Sequence, residues 1–446
     1  MSVIRSQRQP PRILLRPEHP ISRRFISEDA LRVLYRLHRA GFLAYLVGGA
    51  VRDCLLGRTP KDFDVATNAR PQQVRQLFRN ARLVGRRFRL ARLLFSQEVV
   101  EVATFRRSPE PPEMEEGETT DVLAPAAEAE EFGSPEEDAW RRDFTVNGLF
   151  YNIADFSVID YVGGLTDLEA GVLRTIGPAR ERISEDPVRM MRAVEYSARL
   201  GFSLGAELQE AVHELAAEIR RAAPARVAYE LGECLQGGYA AAIFRGLEDS
   251  GLLAEIMPEV HEASNGPEGA LLWKLLQAAD VRNRDGRTLR QESMLGTLFL
   301  PAFLARMNGP DKARVAFPDM ERAAREVLDP AALRLALSNH QAHMLRYGFL
   351  FLMRLFEAPR SPRLAASTVR HECFPVSWEL ASLLTEVAAT TAPAVNVWQE
   401  IVARVRAGQS PLKDVRAQEA VGGRRRRRRR PRSSQGGPGQ KSVEAP

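Results

Sequence analysis

"LVGGAVRDCLLGRTPKDFDVATN" (Leu46–Asn68) sets an apolar run, a glycine pair, an arginine and two aspartates at i and i+2 in quick succession. "FLAYLV" (Phe42–Val47) reads as a buried strand, Val51–Leu56 as a helix after the glycines, and "DFDVAT" (Asp62–Thr67) as a second strand. Alternate strand residues share a face, so Asp62 and Asp64 point one way and Phe63 points to the core. Two carboxylates that close repel unless a cation sits between them. Hard oxygen ligands favour Mg²⁺, which takes phosphate oxygens as further ligands. Gly48 and Gly49 let the backbone come close to a phosphate, the next helix offers its N–H groups, and Arg52 can add a forked contact. An isolated Asp-Phe-Asp would also fit a solvated charge pair. Glu101, amid valines in "VVEVATF", changes that balance, because an unpaired Glu there is costly and a metal site would use it.

A length of 446 residues implies two to four modules rather than one core. Cys54, Cys234 and Cys373 have no close spacing, so neither a disulfide framework nor a zinc site is expected. His340 and His343 could form half a metal site on a helix, but no acidic or cysteine partner stands near them in sequence. No apolar run approaches the roughly 20 residues that span a bilayer, so no membrane partner is expected. The first 24 residues are Arg-rich like a transit peptide, yet four prolines interrupt them. A cytoplasmic protein is the expectation. The net charge of +6 is strongly segregated: Met1–Arg24 holds six arginines against one glutamate, whereas Ser108–Asp138 holds twelve acids and no base. Basic arms on a globular body point to a polyanion.

Along the chain, a basic arm covers 1–26. Ser27 can cap a helix ending at Gly41. "ARLVGRRFRLARLLF" and "EVVEVATFRR" read as two strands joined at Ser96–Gln97, which makes an α/β head of 27–177 with a mixed sheet. Residues 108–138 are too acidic and proline-rich to pack, and read as a mobile loop. From Glu185 the spacing is helical, with proline breaks, to about Arg406. The expected fold class is thus α+β, with the head followed by an all-α neck (178–257) and body (258–408). A disordered tail (409–446) contains Arg424, Arg425, Arg426, Arg427, Arg428, Arg429 and Arg430.

The opening motif, extended to Phe78, resembles the head of the class II nucleotidyltransferases of the DNA polymerase beta superfamily. That family comprises tRNA CCA-adding enzymes and bacterial poly(A) polymerases. "RRDFTVNGLFYN" (Arg141–Asn152) is similar to its second motif, and "DYVGGLTDLEAGVLRTIG" (Asp160–Gly177) to its third. "RISEDPVRMMRAVEYSARLGF" (Arg182–Phe202) is similar to its nucleotide-selecting motif, and "PARVAYEL" (Pro224–Leu231) to its neck motif. The resemblance implies that Asp62 and Asp64 bind two catalytic Mg²⁺ ions and that Asp143 is a third active-site acid. Glu101 is the alternative third carboxylate. It further implies nucleotide contacts by Gly48, Gly49, Arg52, Arg142, Asn147 and Arg192, with Asp186 and Arg189 as a protein template for the base. Asp accepts from an exocyclic amine while Arg donates to the ring nitrogen, which suits adenine and cytosine. The i, i+3 spacing puts the two on one helix face. Glu195 and Tyr196 stand where the family usually has Arg-Phe, and Arg92 where it has His.

"LVGRRFRL" (Leu83–Leu90), the opening His19–Phe42 and the arginine tail resemble the poly(A) polymerase branch. That branch implies transfer of AMP from ATP to RNA 3′ ends, with the arginine tail gripping RNA and RNA-decay machinery as a possible partner. The alternatives are CCA addition to tRNA and a non-catalytic RNA-binding protein on a transferase scaffold. Retention of both Asp62 and Asp64 speaks against the last.

Overall fold

The structure is a computed structural model, and it describes residues 10–85, 90–96, 98–107, 132–307, 316–357, 359, 361–388 and 392–410. The expected arginine grip at 424–430 lies outside these residues, as do most of the acidic segment and the tip of the basic arm.

An eight-stranded mixed sheet forms the head, in the order β1-β8-β7-β2-β3-β6-β5-β4. Its strands are β1 (Arg12–Leu14), β2 (Ala44–Val47), β3 (Asp64–Thr67), β4 (Ala81–Val84), β5 (Leu90–Leu94), β6 (Val99–Thr104), β7 (Leu149–Asn152) and β8 (Val158–Asp160). Only β3 and β6 pair in parallel; every other neighbouring pair in this sheet is antiparallel. The stretch read as one strand before Ser96 is in fact two, β4 and β5. Gly85, at φ +100°, follows β4 and takes a backbone conformation closed to most residues.

Alternation gives the sheet two faces. Ala44, Leu46, Val65, Val100, Val102 and Leu149 belong to one core with α1 (Glu28–Arg39), α2 (Gly49–Leu55) and α3 (Pro71–Leu77). The Ser27 hydroxyl caps α1 by accepting from Ala30 N at 3.1 Å, as its sequence implied. Tyr45, Val47, Ala66, Phe105 and Phe150 point the other way, into a small cluster with Ala139 of α4 (Pro135–Trp140). Asp64 and Glu101 belong to this second face by register. The expected loop to Asp138 therefore ends early: Ser134 and Glu137 form a capping box, and α4 begins at Pro135.

Beyond the sheet the chain is helical apart from one short parallel pair, β9 (Val172–Leu173) with β10 (Ser203–Leu204). Its first helices are α5 (Gly164–Ala170), α6 (Ala179–Glu185), α7 (Arg189–Leu200), α8 (Ala206–Glu214) and α9 (Pro224–Gln236). One continuous core runs from Phe144 to Val402, and Met257 and Val260 both lie in it. Not every proline of this region breaks a helix: Pro301 and Pro330 sit inside helices Gln291–Met307 and Phe317–Arg334. Burial on surrounding helices outweighs the lost backbone bond. The head grips the helical part directly. Arg58 donates to the carbonyls of Arg199 and Leu200 at the end of α7, at 3.1 and 3.2 Å, and Lys61 pairs with Glu233 at 3.1 Å.

Candidate active site

Asp64 opens β3, opposite Val47 of β2 and in register with Glu101 of β6. Asp62 lies just ahead of the strand and, like Asp64, is exposed, while Phe63 between them is buried. Asp64 faces solvent yet is crowded by protein. This desolvation, then Glu101 and Asp62, push its carboxyl up to about 6 against the pull of Arg142 and Arg192. Such crowding of acids is what a divalent cation relieves. The oxygens of Asp62, Asp64 and Glu101 are not mutually within 4.8 Å. Glu101 also pairs with Arg92 at 3.2 Å, with both side chains nearly half exposed.

Gly48, with φ +69° and ψ −136°, turns the chain from β2 into α2. A Cβ there would come within 3.2 Å of Arg142 Nη1, and one on Gly49 within 3.3 Å of Arg52 Nη2. The two glycines therefore lie directly on two guanidinium groups. Arg142 is anchored from behind by Asp138, whose Oδ2 accepts its Nη2 at 3.0 Å and whose Oδ1 accepts Arg141 Nε at 2.8 Å. Asp138 Oδ1 also accepts Arg106 N at 3.2 Å, just beyond β6. Burial works to raise the Asp138 carboxyl, but Arg142 and Arg141 hold it below its usual range. Sequence reasoning missed Asp138 by assigning it to the acidic loop.

Arg52, expected to contact the triphosphate, is 1% exposed. Its Nε donates to Asp53 at 2.8 Å and its Nη1 to Asn147 Oδ1 at 2.6 Å. Asn147 Nδ2 donates in turn to Asp143 Oδ1 at 3.2 Å. Asp143 is nearly buried, accepts Phe144 N at 2.8 Å and pairs with Arg192 Nη2 at 2.7 Å. Burial tends to raise its carboxyl, but Arg192, the Phe144 N–H and Asn147 bring it below its ordinary value. In this setting Asp143 serves Arg192, while Glu101 is the acid beside Asp64. Tyr196 gathers the remaining cations. Arg52, Arg192 and Arg199 lie 5.2, 5.6 and 5.1 Å from its ring centre, and Arg192 Nη2 donates to its hydroxyl at 2.9 Å. Glu195, beside it, is buried against Arg199 at 3.6 Å. Glu230 of α9 lies 3.6 Å from Arg192, and its burial, eased by Arg192 and worsened by Glu195, pushes its carboxyl up to about 7.

The expectation that Asp186 and Arg189 share a helix face is not met. Asp186, at φ −149° and ψ 92°, sits in the break between α6 and α7, whereas Arg189 starts α7. Pro187 explains the break, because the residue before proline is pushed out of helical geometry. Both side chains are engaged. Arg226 of α9 forks onto Asp186, and Arg189 Nη1 donates to Arg182 O at 2.6 Å and Glu185 Oε2 at 3.0 Å. Arg226 was also missed, although it lies in the quoted "PARVAYEL" segment.

Acids at the start of β3 and on β6 thus lie beside the Gly48 turn, and a second polar cluster lies on α7 and α9. Residues 44–174 match the poly A polymerase head domain, and residues 201–264 match a probable RNA and SrmB-binding site of polymerase A. The chain is 38% identical to poly(A) polymerase I of Escherichia coli O6:H1 over 388 residues, covering 84% of this chain and 82% of that one. The chain belongs to the poly(A) polymerase family. It is thus an enzyme of the nucleotidyltransferase kind. Poly(A) polymerase I of Salmonella typhi is 39% identical over 85% of this chain and 83% of its own. The CCA-adding enzyme of Bacillus subtilis is 37% identical, over 53% of this chain and 57% of its own. The fold is also that of Bacillus stearothermophilus CCA-adding enzyme in complex with CTP, with a TM-score of 0.60 at 24% identity, covering 83% and 81% of the two chains. Among the described residues, no helix is long and apolar enough to cross a membrane.

Proposed function

We propose that this enzyme adds AMP from ATP to RNA 3′ ends without a nucleic-acid template, in the cytoplasm, as a step that feeds RNA decay. The observation that carries this reading is the meeting of Asp64 and Glu101 in register on β3 and β6, with Asp62 alongside and the Gly48 turn over Arg142.

Asp62 and Asp64 would hold Mg²⁺, with Glu101 as the third carboxylate; all three are hard oxygen donors whose mutual repulsion a divalent cation relieves. The bound metals supply a lowered pKa for the attacking hydroxyl and charge neutralisation on the triphosphate. Gly48 and Gly49 leave room for phosphate oxygens at the backbone, and Arg142, held rigid by Asp138, offers positive charge beside them. Arg52 and Asn147, both buried, link through Asp143 to the partly exposed Arg192 in a chain that fixes the floor beneath the glycine turn. Asp143 is thereby a positioning residue. Asp186 and Arg189 read the base edge, with Arg226 orienting Asp186. The arginines at 424–430 supply sequence-blind phosphate contacts.

The test is incubation of purified enzyme with generic RNA and each single nucleotide, beside a tRNA lacking its 3′ end. Long A tracts on generic RNA are expected with ATP alone. Asp62→Ala and Asp64→Ala should each lower addition by about a thousandfold or more while RNA binding persists. Addition that stops at C-C-A on the tRNA and ignores generic RNA would establish the CCA-adding reading, which the relatives at 37% identity make the second candidate.

A further inference from the structure

His343 lies on the helix Asn339–Leu355, with no ligand partner close in sequence. The fold brings two. Between helices Pro362–Arg370 and Phe374–Val387 the chain turns through His371, Glu372 and Cys373, and the second of these helices packs along the one that carries His343. His343 Nε2 lies 3.2 Å from Glu372 Oε1, and one ligand atom each from His343, Glu372 and Cys373 lies within 4.8 Å of the other two. Among the described residues, no other group of three histidines, cysteines or acids is drawn so close.

These donors are held in place rather than merely adjacent. Cys373 is fully buried, with Sγ 3.6 Å from Met344 Sδ, and its N–H donates to His371 Nδ1 at 3.2 Å. The His371 ring packs on Phe351 at 4.3 Å between centres, and the His343 ring on Tyr347 at 4.5 Å. His343 and Glu372 remain 40% and 64% exposed, so an ion can enter from solvent and keep a water as a further ligand. One nitrogen, one oxygen and one sulfur make a set that suits a borderline-soft ion and does not suit Mg²⁺. Beside the His343–Glu372 ion pair, the Cys373 Sγ within 4.8 Å of both adds a third donor of a different kind.

We propose that His343, Glu372 and Cys373 bind one Zn²⁺ ion, apart from the nucleotidyl-transfer site, and that it staples the helix Asn339–Leu355 to the turn before Phe374. Binding replaces the Cys373 thiol proton with the metal, and the proton leaves to water; nothing is oxidised or reduced.

Chelator-stripped full-length protein is titrated with zinc against a chromophoric competitor, and separately loaded with cobalt. One zinc equivalent is expected whose affinity falls at least about tenfold in His343→Ala and in Cys373→Ser. Cobalt should give a thiolate-to-metal charge-transfer band that Cys373→Ser abolishes. Zinc held at the catalytic acids is distinguished because it survives Cys373→Ser and disappears in Asp62→Ala. Equal zinc affinity in wild type and Cys373→Ser, or cobalt loading without a charge-transfer band, overturns the proposal. If Cys373→Ser does not fold, the exposed variants His343→Ala and Glu372→Gln decide: unchanged affinity in both overturns it equally.

Discussion

Arg226 holds both carboxylate oxygens of Asp186, Nη1 to Oδ1 at 2.7 Å and Nη2 to Oδ2 at 2.9 Å, across forty residues of sequence. The fork fixes where Asp186 can point, and so, if Asp186 reads the base as proposed, which base edge it would accept from. Arg226→Ala should lower kcat/KM for ATP about tenfold, in line with loss of a charged hydrogen bond on an accessible pair. It should also narrow the preference for ATP over UTP. Arg226→Lys, which keeps the charge without the fork, should fall between. Single-nucleotide incorporation measures both effects, and unchanged selectivity in Arg226→Ala would show that the pair is structural only.

Gly48→Ala combines two penalties. Its φ of +69° with ψ −136° is strained for any L side chain, at a cost of about 1–3 kcal/mol, and the new methyl presses on Arg142 Nη1. A lower Tm with a raised KM for ATP is expected. A variant with wild-type KM would detach the glycine turn from nucleotide binding.

Asp138→Asn should destabilise the fold by about 2 kcal/mol, because a nearly inaccessible acid serving two partly exposed arginines loses its charge. The folded-state carboxyl lies below its unfolded value, so its stabilisation is present above the ordinary range of about 3.8 and disappears as pH falls through the folded value. The gap between wild type and variant in denaturant melts should therefore close in acid. A gap that widens as pH falls would contradict this sign.

Glu230 works in the opposite sense. Its carboxyl rises from 4.5 to about 7 on folding, so the folded state binds the proton more tightly and loses stability as pH climbs between those values. Glu230→Gln removes that loss. The variant should gain on wild type by up to about 3 kcal/mol between pH 4.5 and 8. Parallel stability curves across that range would mean that Arg192 compensates the charge fully.

Much of the site could be read in the chain because its chemistry is local. Alternation along "DFDVAT" placed Asp62 and Asp64 on one side and Phe63 in the core, and that is how their exposure divides. The glycine pair marked a turn, which Gly48 makes at φ +69°, and a lone acid among valines marked Glu101. What depended on pairing between distant segments could not be read this way. Nothing in sequence spacing says that β6 runs parallel to β3, which sets Glu101 beside Asp64 and leaves Asp143 to Arg192. Composition put Asp138 in an acidic loop, but a buried ion pair with Arg142 depends on which helix lies over the second face of the sheet. Arg226 and Asp186, and likewise His343 and Cys373, meet only after separate helices pack. Patterns of period two and 3.6 record where each residue faces on its own element. Which partner it meets there follows from closing long loops around a shared core, and that information is spread over the whole chain.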